Sequence, residues 1–570
     1  MINYREKIAD VLTHHLEEVP LEEVLDMIEK PADPKMGDYA LPCFKLARTL
    51  RKAPPMIAQN IAESIADEHL FEKVEPVKAY VNMFVDRNDF AHEVVSAAIE
   101  QGDGYGRSDV GGHRKVIVEY SSPNIAKPFH IGHIRSTVIG SSIANIYDCL
   151  GYDVVRINHL GDYGTQFGKM IVAYRRWGNR DDVIREPIKT LLEYYTRFHR
   201  EAENDPSLED EARTTFTRLE HGEKEEMELW QWFRDESLKE FTRVYEMLGI
   251  AFDSYKGESF YSDKMPRFVR ELEDKGLLEE DQGAQIVRLD DYDLPVALIT
   301  KSDGSTLYIT RDIAAAVYRK ETYDFYKNIY VVASQQNLHF QQWIQILEMM
   351  GYPWARDCVH VPFGLVSMEE GTMSTREGRV IFLEDVLNRA VEKTREIIRE
   401  KNVNTENIEE TAAAVGIGAV IFNELSNYRI KDYVFSWDHV LNFEGETGPY
   451  VQYTHARACS ILRNAGEEVV AKAAKGFDST YITGDSAHEL ESLLYEFPDV
   501  VHEAGDKYEP SIVTRKIVDI AQAYNRFYHD EHILTDNEDE KVAKVALVMA
   551  AKNTIKNGLG LLGMKAPEKM

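Results

Sequence analysis

Residues 116–140, VIVEYSSPNIAKPFHIGHIRSTVIG, limit what this chain can fold into more than any other stretch. Val116, Ile117 and Val118 are a short β-branched run suited to a buried strand. Ser121, Ser122, Pro123 and Asn124 then break that strand into a turn. From Ile134 the apolar residues recur at Val138, Ile139, Ile143, Ile146 and Leu150, a helical spacing, and Gly151 ends the helix. His130-Ile131-Gly132-His133 therefore sits where a strand and loop enter a helix. The first N–H groups of a helix are unpaired and carry the positive end of its dipole, so that place favours an anion. Gly132 leaves room for a base or ribose against the backbone. His130 and His133 lie one turn apart and can both donate to a phosphate, each such donor being worth about 2.7–4 kcal/mol of barrier. Taken alone, two histidines at a helix start read first as caps or as partners of core carbonyls.

A second strand over 153–158 leads into a Gly-rich turn, HLGDYGTQFG, at 159–168. Strand, helix, strand and Gly-rich turn in close succession open a doubly wound nucleotide fold. As a turn, 159–168 needs no chemistry from Asp162 or Gln166, and their roles stay open. Residues 181–270 are helical in pattern, with their Asp and Glu on a solvated face. Hairpin chemistry follows at 283–308: alternation at 285–289, then a Ser302-Asp303-Gly304-Ser305 turn between strands at 296–300 and 306–309. Next come Tyr308 to Asp312, a helix-like stretch from Ile313, and a strand at 328–333 running into Ser334-Gln335-Gln336. If the sheet is parallel, these segments meet at its carboxyl edge, where such folds bind ligands.

The 570 residues suffice for three or four domains, and 44% hydrophobic content allows each a core. A net charge of −31 speaks against a nucleic-acid partner, but residues 541–570 carry six lysines against one acid, Glu568. Cys43, Cys149, Cys358 and Cys459 are scattered, with no Cys-x-x-Cys pair, which fits a reducing compartment better than a zinc knuckle or a disulfide framework. The N-terminus has no apolar signal region, and the run 412–422 is too short to span a bilayer and reads as a buried helix. Residues 1–110 read as a small α/β module: helical patterns at 4–29 and 55–69, a strand at 78–85, and a turn-rich exit. From about 386 the chain reads as helical to its end.

The stretch around His130 resembles the first ATP-binding motif of class I aminoacyl-tRNA synthetases, and its Ser-Ser-Pro-Asn-Ile-Ala-Lys-Pro-Phe lead-in is similar to the arginyl-tRNA synthetase version. GDxGTQFG at 161–168, YITRD at 308–312 and the run FSWDHVLNFEGETGPYVQYTHAR at 435–457 resemble the same family. The resemblance implies a Rossmann-type doubly wound parallel catalytic core at 111–385, with helical and hairpin insertions. It also implies a small α/β N-terminal tRNA-contacting domain (1–110) and an all-α anticodon-binding domain (386–570). The implied reaction attaches arginine to tRNA(Arg) through arginyl-adenylate, with ATP as substrate, Mg²⁺ on its phosphates, and activation gated by tRNA. A monomer in the cytoplasm, with no membrane partner, is expected.

On the resemblance, Ser122, Asn124, His133 and Gln336 line the amino-acid pocket together with Glu119, Tyr308 and Asp312. A guanidinium wants a carboxylate for its planar donors and neutral acceptors around it, so Glu119 and Asp312 supply the charge and Tyr308 the neutral contact. Asn124 and Gln336 hold the α-amino and carboxyl ends. The class's mobile Lys-Met-Ser-Lys-Ser loop corresponds here to GTMSTREG at 371–378, where Thr372 and Thr375 replace both lysines and leave Met373, Ser374 and Arg376. Lys127, three residues before His130, is expected to restore the missing charge together with Arg376. Asn82 is a candidate base reader of the tRNA elbow, with an asparagine ending a strand as the plain alternative. Tyr450, Tyr453, Arg457, Tyr524 and Phe527 offer stacking groups for unpaired bases, and Met570 matches the family's terminal residue. A class I synthetase of other specificity, a non-catalytic tRNA-binding relative and a nucleotidyltransferase on the same fold are the rival readings.

Overall fold

The computed structural model describes residues 3–16, 18–301, 308–368, 381–400, 407–440, 442 and 445–570. They fall into two compact units. One comprises Met1–Tyr105, Arg457–Phe497 and Asp519–Ile555; the other comprises Gly106–Ala456, Pro498–Val518 and Lys556–Met570.

The second unit is built on a four-stranded parallel sheet. In chain order its main elements are β1 (Lys115–Glu119), α1 (Ile134–Cys149), β2 (Asp153–Ile157), α2 (Thr165–Trp177), α3 (Lys224–Leu248), α4 (Tyr308–Tyr323), β3 (Lys327–Ala333), α5 (Asn337–Met349) and β4 (Cys358–Phe363). The sheet order is β4-β3-β1-β2, every pair parallel, and Glu119 at the end of β1 stands opposite Ile157 and Tyr330. The chain leaves β1 toward β2 on one side and later returns to place β3 on the other. The carboxyl ends of β1 and β3 therefore form the switch point where open α/β sheets bind ligands.

Val116, Ile117 and Val118 have no exposed surface, which explains an unbroken apolar run where a one-faced strand would alternate. Helix α1 is buried nearly all round, and Gly151 closes it at φ +81°. Gly140 lets it approach β1, since a Cβ there would lie 2.1 Å from Cβ of Tyr120.

Two expectations fail here. Of the strand expected at 306–309, Tyr308 and Ile309 are helical: they open α4, because Ile309, Ile313, Ala316 and Val317 bury one helical face and that period overrides a short β-branched run. The turn at 302–305 lies outside the described residues. The hairpin is instead a three-stranded antiparallel sheet of Glu279–Asp281, Ala284–Val287 and Ala297–Thr300. Nor is the chain helical throughout after 386. Tyr433–Phe435, a β-branched and aromatic run, pairs in parallel with Val366–Met368.

In the first unit an antiparallel sheet of Tyr39–Pro42, Tyr80–Val85 and Phe71–Val77 packs against Pro54–Ile65, which in turn packs against Tyr4–His15. Pro20 splits the expected 4–29 helix into Tyr4–His15 and Leu21–Met27. The long helices Gly448–Ala465, Asp485–Lys507, Ser511–Asp530 and Glu538–Leu561 contribute residues to both units.

Candidate active site

The loop leaving β1 is held in an unfavourable conformation. Ser121, Ser122 and Ala126 all have positive φ (70°, 47° and 58°), a region that costs non-glycine residues roughly 1–3 kcal/mol each. A hydrogen-bond network fixes it. Ser121 N–H donates to Ser136 Oγ at 2.9 Å, and that hydroxyl donates to the Val331 carbonyl of β3 at 2.8 Å. Thr137 Oγ reaches Ser121 Oγ at 2.9 Å, the Ser121 and Tyr245 hydroxyls are 2.8 Å apart, and Asn158 Nδ2 donates to Tyr245 at 2.9 Å. Ala126 N–H donates to Ser237 Oγ at 3.0 Å. Helices α1 and α3 and strand β3 thus all grip the loop. None of these hydroxyls stands out in the sequence, because serines and a tyrosine acquire such a role only through folding.

His130-Ile131-Gly132-His133 forms one tight turn at the head of α1. Gly132 N–H donates to His130 Nδ1, and His130 N–H donates to His133 Nδ1, both at 3.1 Å. His133 Nδ1 also lies 3.3 Å from the His130 carbonyl, but a backbone N–H can only donate, so Nδ1 keeps its lone pair. In both rings the proton is thereby assigned to Nε2. Burial pulls the His130 pKa down to about 4 and that of His133 to about 3, with the neighbouring His130 and the Lys127 charge adding to the fall at His133. At neutral pH the motif presents two uncharged Nε2–H donors, their rings 4.0 Å apart. The capping reading accounts for the Nδ1 atoms of both rings and leaves the Nε2–H groups outside the capping turn.

At the amino-acid end the expected carboxylate pair is divided. Glu119 already has a cationic partner within the chain: its Oε2 lies 2.5 Å from Nη2 of Arg319, both side chains being buried. Burial explains the pairing of this carboxylate with a guanidinium, since neither charge is tolerated in the interior without the other. Asp312 is part-exposed, with Oδ2 2.5 Å from His339 Nε2 on α5. Tyr308, at the first turn of α4, is 66% exposed, and the Arg311 guanidinium lies 5.5 Å from its ring centre. Arg311 is paired with Glu258 at 3.0 Å, whose carboxyl is raised by burial and lowered in part by that arginine. Sequence reasoning missed Arg319 and His339. Arg319 stands seven residues after Asp312, on the buried face of the same helix, and a charge at an apolar helical position is the signal that would have found it.

Ser122 Oγ donates to the Tyr120 carbonyl at 3.5 Å. Asn124 is exposed and bridges to Gly161, where a Cβ would come within 1.9 Å of Asn124 Oδ1. Gln336 is exposed in the turn after β3. Asp162 is an anchor: fully buried, it accepts from Ser259 N–H at 2.8 Å, Ser259 Oγ at 2.9 Å and Arg234 Nε at 3.2 Å. Gln166 lies in the first turn of α2. Met373, Ser374 and Arg376, with Thr372 and Thr375, lie outside the described residues.

Among the expected tRNA contacts, Asn82 is in the middle of its strand, opposite Ala40 and Glu75, and 3% exposed, so it does not end that strand. Tyr450, Tyr453 and Arg457 share the helix Gly448–Ala465, with Tyr453 47% exposed. Arg457 donates to Asn525 Oδ1 at 3.1 Å and lies over the Tyr528 ring. Tyr524 and Phe527 are wholly buried and belong to the core, so they offer no stacking surface. Met570 ends a tail held by Gln452 Nε2 at the Lys565 carbonyl (2.8 Å) and by His455 Nδ1 at the Pro567 carbonyl (2.9 Å). No helix among the described residues is long and apolar enough to cross a membrane.

Three family profiles match the chain: arginyl tRNA synthetase N terminal domain over residues 4–85, tRNA synthetases class I (R), catalytic domain over 94–437, and DALR anticodon binding domain over 451–570. Arginine–tRNA ligases of Halothermothrix orenii and Clostridioides difficile are each 56% identical over 570 residues, covering all of both chains. The arginyl-tRNA synthetase structure from Thermus thermophilus superposes with a TM-score of 0.79 at 25% identity, covering 99% of this chain and 100% of the other.

Proposed function

The chain belongs to the arginyl-tRNA synthetase family, and from that premise we propose how its own residues carry the reaction. It activates L-arginine with ATP and transfers the arginyl group to the 3′-terminal ribose of tRNA(Arg). An arginine carboxylate oxygen attacks the α-phosphorus of ATP, and pyrophosphate leaves with the electrons of the broken P–O bond. A terminal ribose hydroxyl then attacks the carbonyl of arginyl-adenylate, and AMP leaves.

The observation that carries the assignment of roles is the pair of Nε2–H donors fixed by the capping turn at the head of α1. His130 and His133 donate to the phosphate oxygens as charge builds there, and Gly132 leaves the nucleotide room. Lys127 supplies the cation that the Thr372/Thr375 loop lacks, together with Arg376, while Met373 and Ser374 complete that loop's contact with ATP. Support comes from the Lys127 charge acting on His133. Lys127→Ala is expected to lose most of its activation at saturating ATP, and near-full activation would end the assignment.

Asp312, oriented by His339, takes the substrate guanidinium, and Tyr308 gives the neutral contact. Glu119, neutralised by Arg319, shapes the pocket floor, while Ser122, Asn124 and Gln336 hold the α-amino and carboxylate ends. A site built for these donors leaves its own groups unpaired when a lysine or citrulline enters, which rejects both. Magnesium travels with the ATP phosphates as part of the substrate. Tyr450, Tyr453, Arg457 and Met570 are assigned to the tRNA surface, with domains at 1–110, 111–385 and 386–570, in a cytoplasmic monomer. The test is charging of total tRNA with each labelled amino acid: arginine alone should be esterified. Binding of tRNA with no charging would favour a non-catalytic relative.

A further inference from the structure

Arg135 follows His133 by two residues on α1 and has no exposed surface. Its guanidinium is used entirely outside its own helix. Nη1 donates to the Lys431 carbonyl at 2.7 Å, Nη2 donates to the Arg429 carbonyl at 3.1 Å, and Nε stands 2.7 Å from Glu424 Oε1, itself 1% exposed. The Tyr433 hydroxyl donates to the other oxygen of Glu424, and the Arg135 guanidinium lies over the Tyr433 ring, 5.2 Å from its centre. The segment that receives Arg135 is itself tied elsewhere. Arg429 Nη1 donates to the Pro362 carbonyl at the end of β4, and its Nε donates to the Tyr508 carbonyl at 3.0 Å and stands 3.7 Å from Glu509. Tyr433 begins the strand that pairs with Val366–Met368.

An apolar side chain would fill the place of Arg135 without desolvating a charge, so packing alone does not call for an arginine. What the planar fork adds is direction: two hydrogen bonds at fixed angles, to the Arg429 and Lys431 carbonyls, orient α1 against 429–433, beside the ion pair with Glu424. Donors to a transition state lose their effect when displaced by about an ångström, so the helix bearing His130 and His133 has to be held this firmly.

We propose that Arg135 is a positioning residue: it registers the histidine turn against residues 429–433, and through Arg429 against the turn at Tyr508 and Glu509, inside the region matched by the anticodon-binding profile. State of the tRNA-contacting helices and alignment of the phosphate donors are thereby coupled. The proposal rests on the reading above, because its readout is arginine-dependent ATP–pyrophosphate exchange.

Arg135→Lys keeps the charge and loses the fork; Arg429→Lys loosens the next link. With saturating ATP, arginine and tRNA, each variant is expected to lose tenfold or more in kcat, with KM for arginine and tRNA Kd within twofold of wild type. Because both act in one chain of contacts, the double variant should fall within twofold of the weaker single one, an outcome that general loosening of the fold would not give. A kcat within twofold of wild type in Arg135→Lys, or losses that multiply in the double variant, overturns the proposal. If Arg135→Lys does not accumulate as folded protein, Tyr433→Phe decides instead, since it removes only the hydroxyl from Glu424. There, at an unchanged melting temperature, a kcat loss of threefold or more supports the coupling and an unchanged kcat overturns it. Wild-type exchange run alongside separates the two claims: absent, the functional reading falls and takes this one with it; present with normal variants, this one falls alone.

Discussion

Two histidines carry their protons on the outer nitrogen because the inner nitrogen of each accepts a backbone N–H. Removing one such donor typically costs about 2.7–4 kcal/mol of transition-state stabilisation, so His130→Ala is expected to lower kcat for pyrophosphate exchange roughly 10²- to 10³-fold. A loss confined to KM would contradict a transition-state role. The same burial sets a pH dependence. The folded pKa values, about 4 and about 3, lie below the ordinary 6.5, so the unfolded chain binds protons that the folded chain refuses. The contribution to stability is complete above pH 6.5 and is lost as pH falls from 6.5 through about 4 for His130 and about 3 for His133. Urea midpoints measured at pH 7 and pH 5 should fall less in His130→Gln than in wild type; an equal fall would remove the desolvation argument. At this scale the histidine turn was legible because its residues are consecutive. The partner of Glu119 was not: the carboxylate read as open to substrate is answered by Arg319, two hundred residues later in the chain.

Elements were legible where period and length agreed. The buried run of β1, the all-round burial of α1 and the Gly151 stop follow from local chemistry. The start of α4 was misread because Thr306–Ile309 satisfies strand propensity locally, while the helical face it belongs to becomes visible only over 308–323. Tyr433–Phe435 was missed because three residues carry no period, and its partner Val366–Met368 is remote in sequence. The contact between α1 and β1 depends on a missing side chain at Gly140. A methyl group there would meet Tyr120 Cβ at 2.1 Å in a segment with no room to yield. Gly140→Ala is therefore expected to destabilise the protein by about 1–3 kcal/mol or more, against the small gain that alanine gives an exposed helix. A thermal unfolding curve settles it: a melting temperature equal to or above wild type would mean α1 can slide on β1.

Over the whole molecule, charge was a poor guide to partner. A chain of net charge −31 joins a family that handles a polyanion, because recognition depends on local surfaces more than on the total. Helices after 448 contribute to both compact units, an interleaving that no linker composition announces. The central claim is that the turn at the head of α1 and the Asp312 pocket form one site that activates arginine, engaged when tRNA is bound. Arginine-dependent ATP–pyrophosphate exchange, measured with and without total tRNA and against the other amino acids, tests it most directly. The account predicts exchange with arginine alone and only when tRNA is present. Exchange with another amino acid, or none under any condition while tRNA still binds, would contradict it.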